Sequence, residues 1–272
     1  MRYINKVAIL ELLFKLSFWI IQSIRVPQTK RSSGYFTDMW EKVKKLNDES
    51  FLNEINDLTG VKISKEIYEF IDNLALKTQI SDKESEINWQ HGYLLYAIVC
   101  NVGEINKNLN ILEIGTAKGF SSICMAKALS DLNINGKIIT FDIINHLNKM
   151  YWNTMGDEQK RSRQILLQDY DKLISDYIVF LNGTSRFLLK TFFMGRIDIA
   201  FLDGSHEYKD VLNEFLEVNK HLSPKGVIVF DDYTYKFPGV IEVVEKIERE
   251  YSYNKNILSS SSERSYAILE KK

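Results

Sequence analysis

Ile111-Leu-Glu-Ile-Gly-Thr-Ala-Lys-Gly-Phe-Ser-Ser122 is the stretch that decides how this chain folds. Ile111 to Ile114 form a short apolar run, suited to a strand buried on both faces, and the residues from Ser121 to Leu129 follow at helical spacing. Between them Gly115 and Gly119 bracket a turn that holds Thr116 and Ala117. Strand, glycine turn and helix in that order open a parallel sheet. In such a sheet ligands sit at the carboxyl ends of the strands, where glycines admit a close backbone approach and the helix N-terminus offers N–H groups.

Further runs of the same kind follow at Lys137 to Phe141, Ile178 to Leu181, Ile197 to Leu202 and Val227 to Phe230. Each is too short for a helix, and several are rich in Ile, Val and Phe. Helical patterns lie between them. Tyr208 to Leu222 puts Val211, Phe215, Val218 and Leu222 on one face, and Ser223-Pro224-Lys225-Gly226 ends that pattern. Asn256 to Ser259 and Tyr266 to Glu270 suit a terminal antiparallel pair. The expected fold is α/β: a Rossmann-like, mostly parallel sheet of about seven strands with helices on both faces. It should occupy residues 86–272.

Residues 1–85 read instead as an N-terminal helical extension, or cap. Met39, Trp40, Val43 and Leu46 recur at helical spacing, as do Ile67, Phe70, Ile71 and Leu74. Pro27 to Gly34 is polar and turn-rich, as a linker should be. The apolar run from Val7 to Ile21 is interrupted by Glu11 and Lys15, short of the roughly 20 residues of a spanning helix. Its wide apolar arc suits packing on this chain or on a second copy. Homo-oligomerisation is therefore expected, with peripheral membrane contact through residues 6–25 as the alternative.

Across 272 residues, 35 Lys and Arg balance 36 Asp and Glu, so no overall positive field favours nucleic acid as a partner. Two cysteines, Cys100 and Cys124, sit in apolar helical stretches without metal-ligand spacing. That usage suits a reducing compartment and a cytoplasmic location.

The glycine spacing around the turn is G-x-x-x-G, with Glu113 ahead of it, and lacks the third glycine of G-x-G-x-x-G dinucleotide sites. A methionyl carboxylate and ammonium could use such a turn where a pyrophosphate would need closer approach. The cofactor expected is thus S-adenosylmethionine rather than NAD. Asp142, ending the second strand, is placed to accept ribose hydroxyls, with a turn or capping aspartate as the structural alternative.

With these residues the chain resembles class I S-adenosylmethionine-dependent methyltransferases over most of residues 86–272. Glu113, Gly115, Gly119 and Ser121 match that family's cofactor loop, and Asp142 its ribose-binding acid. Phe201-Leu-Asp-Gly-Ser-His-Glu-Tyr208 and Val227-Ile-Val-Phe-Asp-Asp-Tyr233 are similar to the later motifs of macrocin-type, metal-dependent sugar O-methyltransferases. The resemblance implies Asp203, Asp231 and Asp232 as Mg²⁺ ligands and His206 as general base. Asp203 is also assigned to the cofactor site. Where relatives often carry an acid after the third strand, this chain has Gly183-Thr184-Ser185, leaving Thr184 to hydrogen-bond the cofactor.

Elementary chemistry agrees. Three carboxylates from two adjacent strand ends make a hard oxygen set suited to Mg²⁺, and imidazole titrates near neutrality. The expected reaction is methylation of a small hydroxylated acceptor, such as a sugar or glycan precursor. Alternatives are a metal-independent methyltransferase for an amine or carboxylate, an NAD-dependent oxidoreductase, and a non-catalytic cofactor-binding module docking through its first helix. Tyr151 to Asp169 is long for a connection between strand and helix and suits a lid, while Phe237-Pro-Gly-Val240 suits an edge of the acceptor pocket.

Overall fold

A computed structural model of the chain describes residues 33–44, 49–81, 86–155, 157–192, 195–261 and 263–272. The helix expected within residues 7–25 lies outside these described residues. So does most of the expected linker, except that Ser33 and Gly34 open helix α1 (Ser33–Lys44). Helices α2 (Glu49–Thr59) and α3 (Lys65–Thr78) follow. The Ser64 hydroxyl caps α3 by accepting from the Ile67 N–H at 3.3 Å. The long helix α4 (Gln90–Ile105) then leads into the sheet and is buried along most of its length.

The remaining elements alternate as the apolar runs require. They are β1 (Asn108–Ile114), α5 (Phe120–Asp131), β2 (Asn135–Asp142), α6 (Arg163–Leu166), α7 (Asp171–Tyr177), β3 (Ile178–Asn182) and α8 (Ser185–Thr191). After them come β4 (Ile197–Leu202), α9 (Tyr208–His221), β5 (Leu222–Phe230), α10 (Pro238–Glu250), β6 (Tyr253–Ser261) and β7 (Arg264–Lys271). The seven strands form one sheet in the order β3-β2-β1-β4-β5-β7-β6. β1 to β5 pair in parallel, while β7 runs antiparallel to both β5 and β6. The expected terminal antiparallel pair and α/β architecture are both present.

Alternation along each strand divides the core between the two faces. Ile111, Ile199 and Phe201 face a cluster that contains α4 and α5, whereas Leu112, Ile114, Ala200 and Leu202 face α9 and α10. The described cap helices join the first cluster through Phe36, Phe51, Ile55 and Ile71, each at most 2% exposed. Fully burying a side chain of this size stabilises a fold by about 1.5–3 kcal/mol. The cap thus shares its hydrophobic contacts with the sheet. Because the strand order reverses between β1 and β4, a crevice opens at their carboxyl ends.

Candidate active site

A cavity of about 880 Å³ occupies that crevice. The turn after β1 supplies its floor. Gly115 has φ 102°, and a Cβ there would stand 2.0 Å from the Asp203 carbonyl oxygen, so only glycine lets β1 and β4 end side by side. Gly115, Thr116, Ala117 and Ser121 all line the cavity. Gly119 serves differently: it takes φ 84° at the start of α5, and a Cβ would meet Leu167 Cδ1 at 2.7 Å. Its bareness admits a neighbouring side chain from the β2–β3 connection.

Glu113 is fully buried and accepts hydrogen bonds from the Ser121 and Ser122 hydroxyls. Burial pushes its carboxyl above the ordinary range, opposed by those two donors. It braces the start of α5 from below, so its contribution to a ligand is indirect.

Asp142 lines the cavity at the end of β2. Its Oδ2 accepts from the Ala117 N–H at 2.6 Å and from Arg163 Nη2 at 3.1 Å, and its Oδ1 accepts from the Ile144 N–H at 2.6 Å. Arg163 Nε also donates to the Ala117 carbonyl at 2.8 Å. One buried arginine therefore fastens the β2–β3 connection to both the acid and the turn. Sequence reading missed Arg163, because nothing local distinguishes it from Arg161 two residues earlier.

Asp203 follows β4, and Asp232 follows β5 with a left-handed φ of 56°. Asp203, His206 and Asp232 each bring a ligand-capable atom within 4.8 Å of the others. His206 Nε2 lies 2.9 Å from Asp232 Oδ2, and the imidazole stacks on Phe237 with ring centroids 3.9 Å apart. Phe237 was expected to edge a pocket, and here it holds the imidazole. Asp231 stands apart from this group. Its carboxylate pairs with buried Arg264 and accepts the Asp232 N–H at 2.8 Å. The expected trio of carboxylates is thus replaced by two carboxylates and an imidazole.

Thr184 and Ser185 line the far end of the cavity. The Ser185 hydroxyl donates to Glu214 Oε1 of α9 at 2.6 Å. Glu214 also lines the cavity, and burial pushes its pKa up to about 7. A carboxyl group therefore does stand near Gly183-Thr184-Ser185, supplied from another element 29 residues onward. Only its long sequence separation hid it.

Other side chains have structural roles. Trp152 is 3% exposed and donates from Nε1 to the Arg161 carbonyl at 2.9 Å. The described residues of the expected lid are irregular chain up to α6, with one bridge between Met150 and Arg161. His91 packs edge-on against Phe120, and Asp198 accepts from the Asn110 N–H at 2.9 Å at the opposite end of the sheet. Among the described residues no helix is long and apolar enough to cross a membrane.

Residues 112–233 match a family profile described as a methyltransferase domain. The fold is similar to an O-methyltransferase from Bacillus cereus in complex with SAH, at 18% identity and a TM-score of 0.51, covering 82% of this chain and 97% of that one. It is also similar to an O-methyltransferase of tomaymycin synthesis from Streptomyces achromogenes in complex with SAM. That match has 16% identity, a TM-score of 0.52, and covers 84% and 98% of the two chains. An SAH-bound methyltransferase from Podospora anserina gives 14% identity and a TM-score of 0.55, covering 77% of this chain and 89% of that one. In sequence, an uncharacterized protein of Acanthamoeba polyphaga mimivirus is 47% identical over 53 residues. That stretch is 19% of this chain and 24% of the relative, so the match spans about a quarter of the relative's length.

Proposed function

We propose that this chain, whose residues 112–233 match a methyltransferase-domain profile, transfers a methyl group from S-adenosylmethionine to a hydroxyl oxygen of a small acceptor. The observation that carries this reading is the sharing of one cavity by the glycine turn and by Asp203, His206 and Asp232. The similar folds of O-methyltransferases in complex with SAM or SAH lend it support.

In this reading Gly115, Thr116, Ala117 and Ser121 receive the methionine moiety, Asp142 the ribose, and Thr184 the base. Asp203 and Asp232 would hold a Mg²⁺ ion, since that ion is commonly bound by one or two carboxylates and keeps its remaining positions for water or substrate oxygens. Such an ion supplies Lewis acidity that eases deprotonation of an acceptor hydroxyl. The His206 imidazole takes the hydroxyl proton at Nδ1, the nitrogen not engaged by Asp232. Asp232 orients the imidazole and stabilises the positive charge it then bears, and Phe237 fixes the ring plane. Holding acceptor oxygen and methyl carbon in line is the larger task, for which effective-molarity gains of roughly 7–11 kcal/mol are available. A vicinal diol, as in a sugar or glycan precursor, suits an ion held by two carboxylates.

A second reading dispenses with the ion. The 2.9 Å contact between His206 and Asp232 is by itself a carboxylate–imidazole pair able to accept a proton. Methyl transfer from labelled S-adenosylmethionine to a diol panel separates the two. On the first reading, chelator abolishes turnover and Mg²⁺ restores it; on the second, chelator changes nothing. Under either, His206→Ala lowers turnover by about 10²–10⁴-fold while SAH still binds. Full turnover in His206→Ala would remove the base assignment.

We further propose the following organisation and setting for the chain. The cap comprises residues 1–85, the chain works in the cytoplasm without nucleic acid, and residues 6–25 mediate self-association or membrane contact.

A further inference from the structure

Lys118 sits inside the glycine turn, between Ala117 and Gly119, both of which take left-handed φ angles of 44° and 84°. Its Nζ donates to the Ser81 hydroxyl at 2.9 Å, just beyond the end of α3. Lys118 and Gln79 of that same segment both line the cavity. Of the other basic groups that line the cavity, Arg186 is exposed to solvent and two are matched by acids. Arg264 pairs with Asp231, His206 meets Asp232, and Ser185 donates to Glu214. Lys118, by contrast, has a neutral hydroxyl as its hydrogen-bond partner, and burial pulls its pKa down to about 8 against the opposing influence of Asp157. An ammonium withdrawn from water toward a hydroxyl is poorly compensated, and an anion in the cavity would complete its environment.

We propose that Lys118 is an anion-recognition residue whose ammonium, steadied by Ser81, takes a carboxylate or phosphate group of a ligand bound in the cavity. Two sources offer that chemistry. One is the methionine carboxylate of the donor, in which case the inference rests on the donor reading above. The other is an acidic acceptor. A positive charge between the turn and the cap suits either, because both ligands must meet beside the reacting centre.

Calorimetry on the whole chain and on Lys118→Met separates them, using SAH, 5′-methylthioadenosine, which lacks the amino-acid moiety, and sodium phosphate titrated into SAH-saturated protein. If the donor's carboxylate is the ligand, the variant binds SAH about tenfold or more weakly and 5′-methylthioadenosine unchanged. If an acceptor's anion is the ligand, both nucleosides bind unchanged and the wild-type phosphate heat disappears. Lys118→Arg restores the lost binding in either case. The proposal is overturned if all three titrations are unaltered, or if SAH and 5′-methylthioadenosine weaken equally. Methionine in place of an ill-compensated ammonium should leave the melting temperature equal or higher, so misfolding does not obscure the result. Should wild-type protein bind neither nucleoside, the donor reading fails. Phosphate titrated into ligand-free protein, bound by wild type and not by Lys118→Met, then still supports the anion role, and equal phosphate binding refutes it.

Discussion

Gly115 shows how a single missing side chain can hold two strand ends together. A Cβ there would collide with backbone rather than with a movable side chain, and its φ of 102° is costly for any L-residue. Gly115→Ala is therefore expected to lose about 2–4 kcal/mol in chemical denaturation and to abolish SAH binding. Wild-type affinity in that variant would mean the turn is not part of the donor site. Glu214 makes a different prediction. Its folded pKa of about 7 lies above the ordinary 4.5, so the folded state keeps a proton that the unfolded chain has released between those values. Stability should then fall as pH rises through that window, by up to about 3 kcal/mol in all. Glu214→Gln lacks this slope: its melting temperature should match wild type near pH 5 and exceed it near pH 8. Parallel pH curves would show that the carboxyl is solvated. Asp231 illustrates why residues adjacent in sequence mislead. Asp231 and Asp232 look alike in the string, yet the left-handed backbone at Asp232 sends the two carboxylates to separate partners. The partner of Asp231 lies 33 residues away, beyond any local pattern.

Among the elements, the strands were the most readable, because runs of Ile, Val and Phe bounded by turn residues have few other uses. Their ends were less so. β1 and β2 begin at Asn108 and Asn135, polar residues that backbone pairing recruits without any apolar signal. The connection from β2 to α6 was recognised as unusually long, but its task was not. Arg163 is 1% exposed, and it ties that connection to Asp142 and to the carbonyl of Ala117. Removing one partner of a buried ion pair leaves the other uncompensated. Arg163→Met should cost about 3–5 kcal/mol and weaken SAH binding, while Asp142→Asn in the same background recovers part of the stability. Independent, additive losses in that double variant would show that the pair is not coupled.

At the scale of the whole molecule, the described cap helices and the sheet share one apolar cluster. A chain beginning at residue 86 should therefore expose Ile111-side surface and bind a hydrophobic dye, without a sharp thermal transition. A cooperative melt of that fragment would establish residues 86–272 as an independent unit. The general architecture was legible because alternation between strands and helices constrains the layers. What stayed hidden was the set of long-range polar ties, such as Arg264 to Asp231, and Asn88 to Ser260 at 3.0 Å. The first of those ties belongs to β7, which is last in sequence yet lies between β5 and β6 in space. During synthesis on the ribosome, β6 has no place beside β5 until residues 264–271 have emerged to fill the gap. The nascent polypeptide must therefore wait with an open sheet edge, and a stall or premature stop before Arg264 would release a product prone to aggregation rather than a slightly shortened protein.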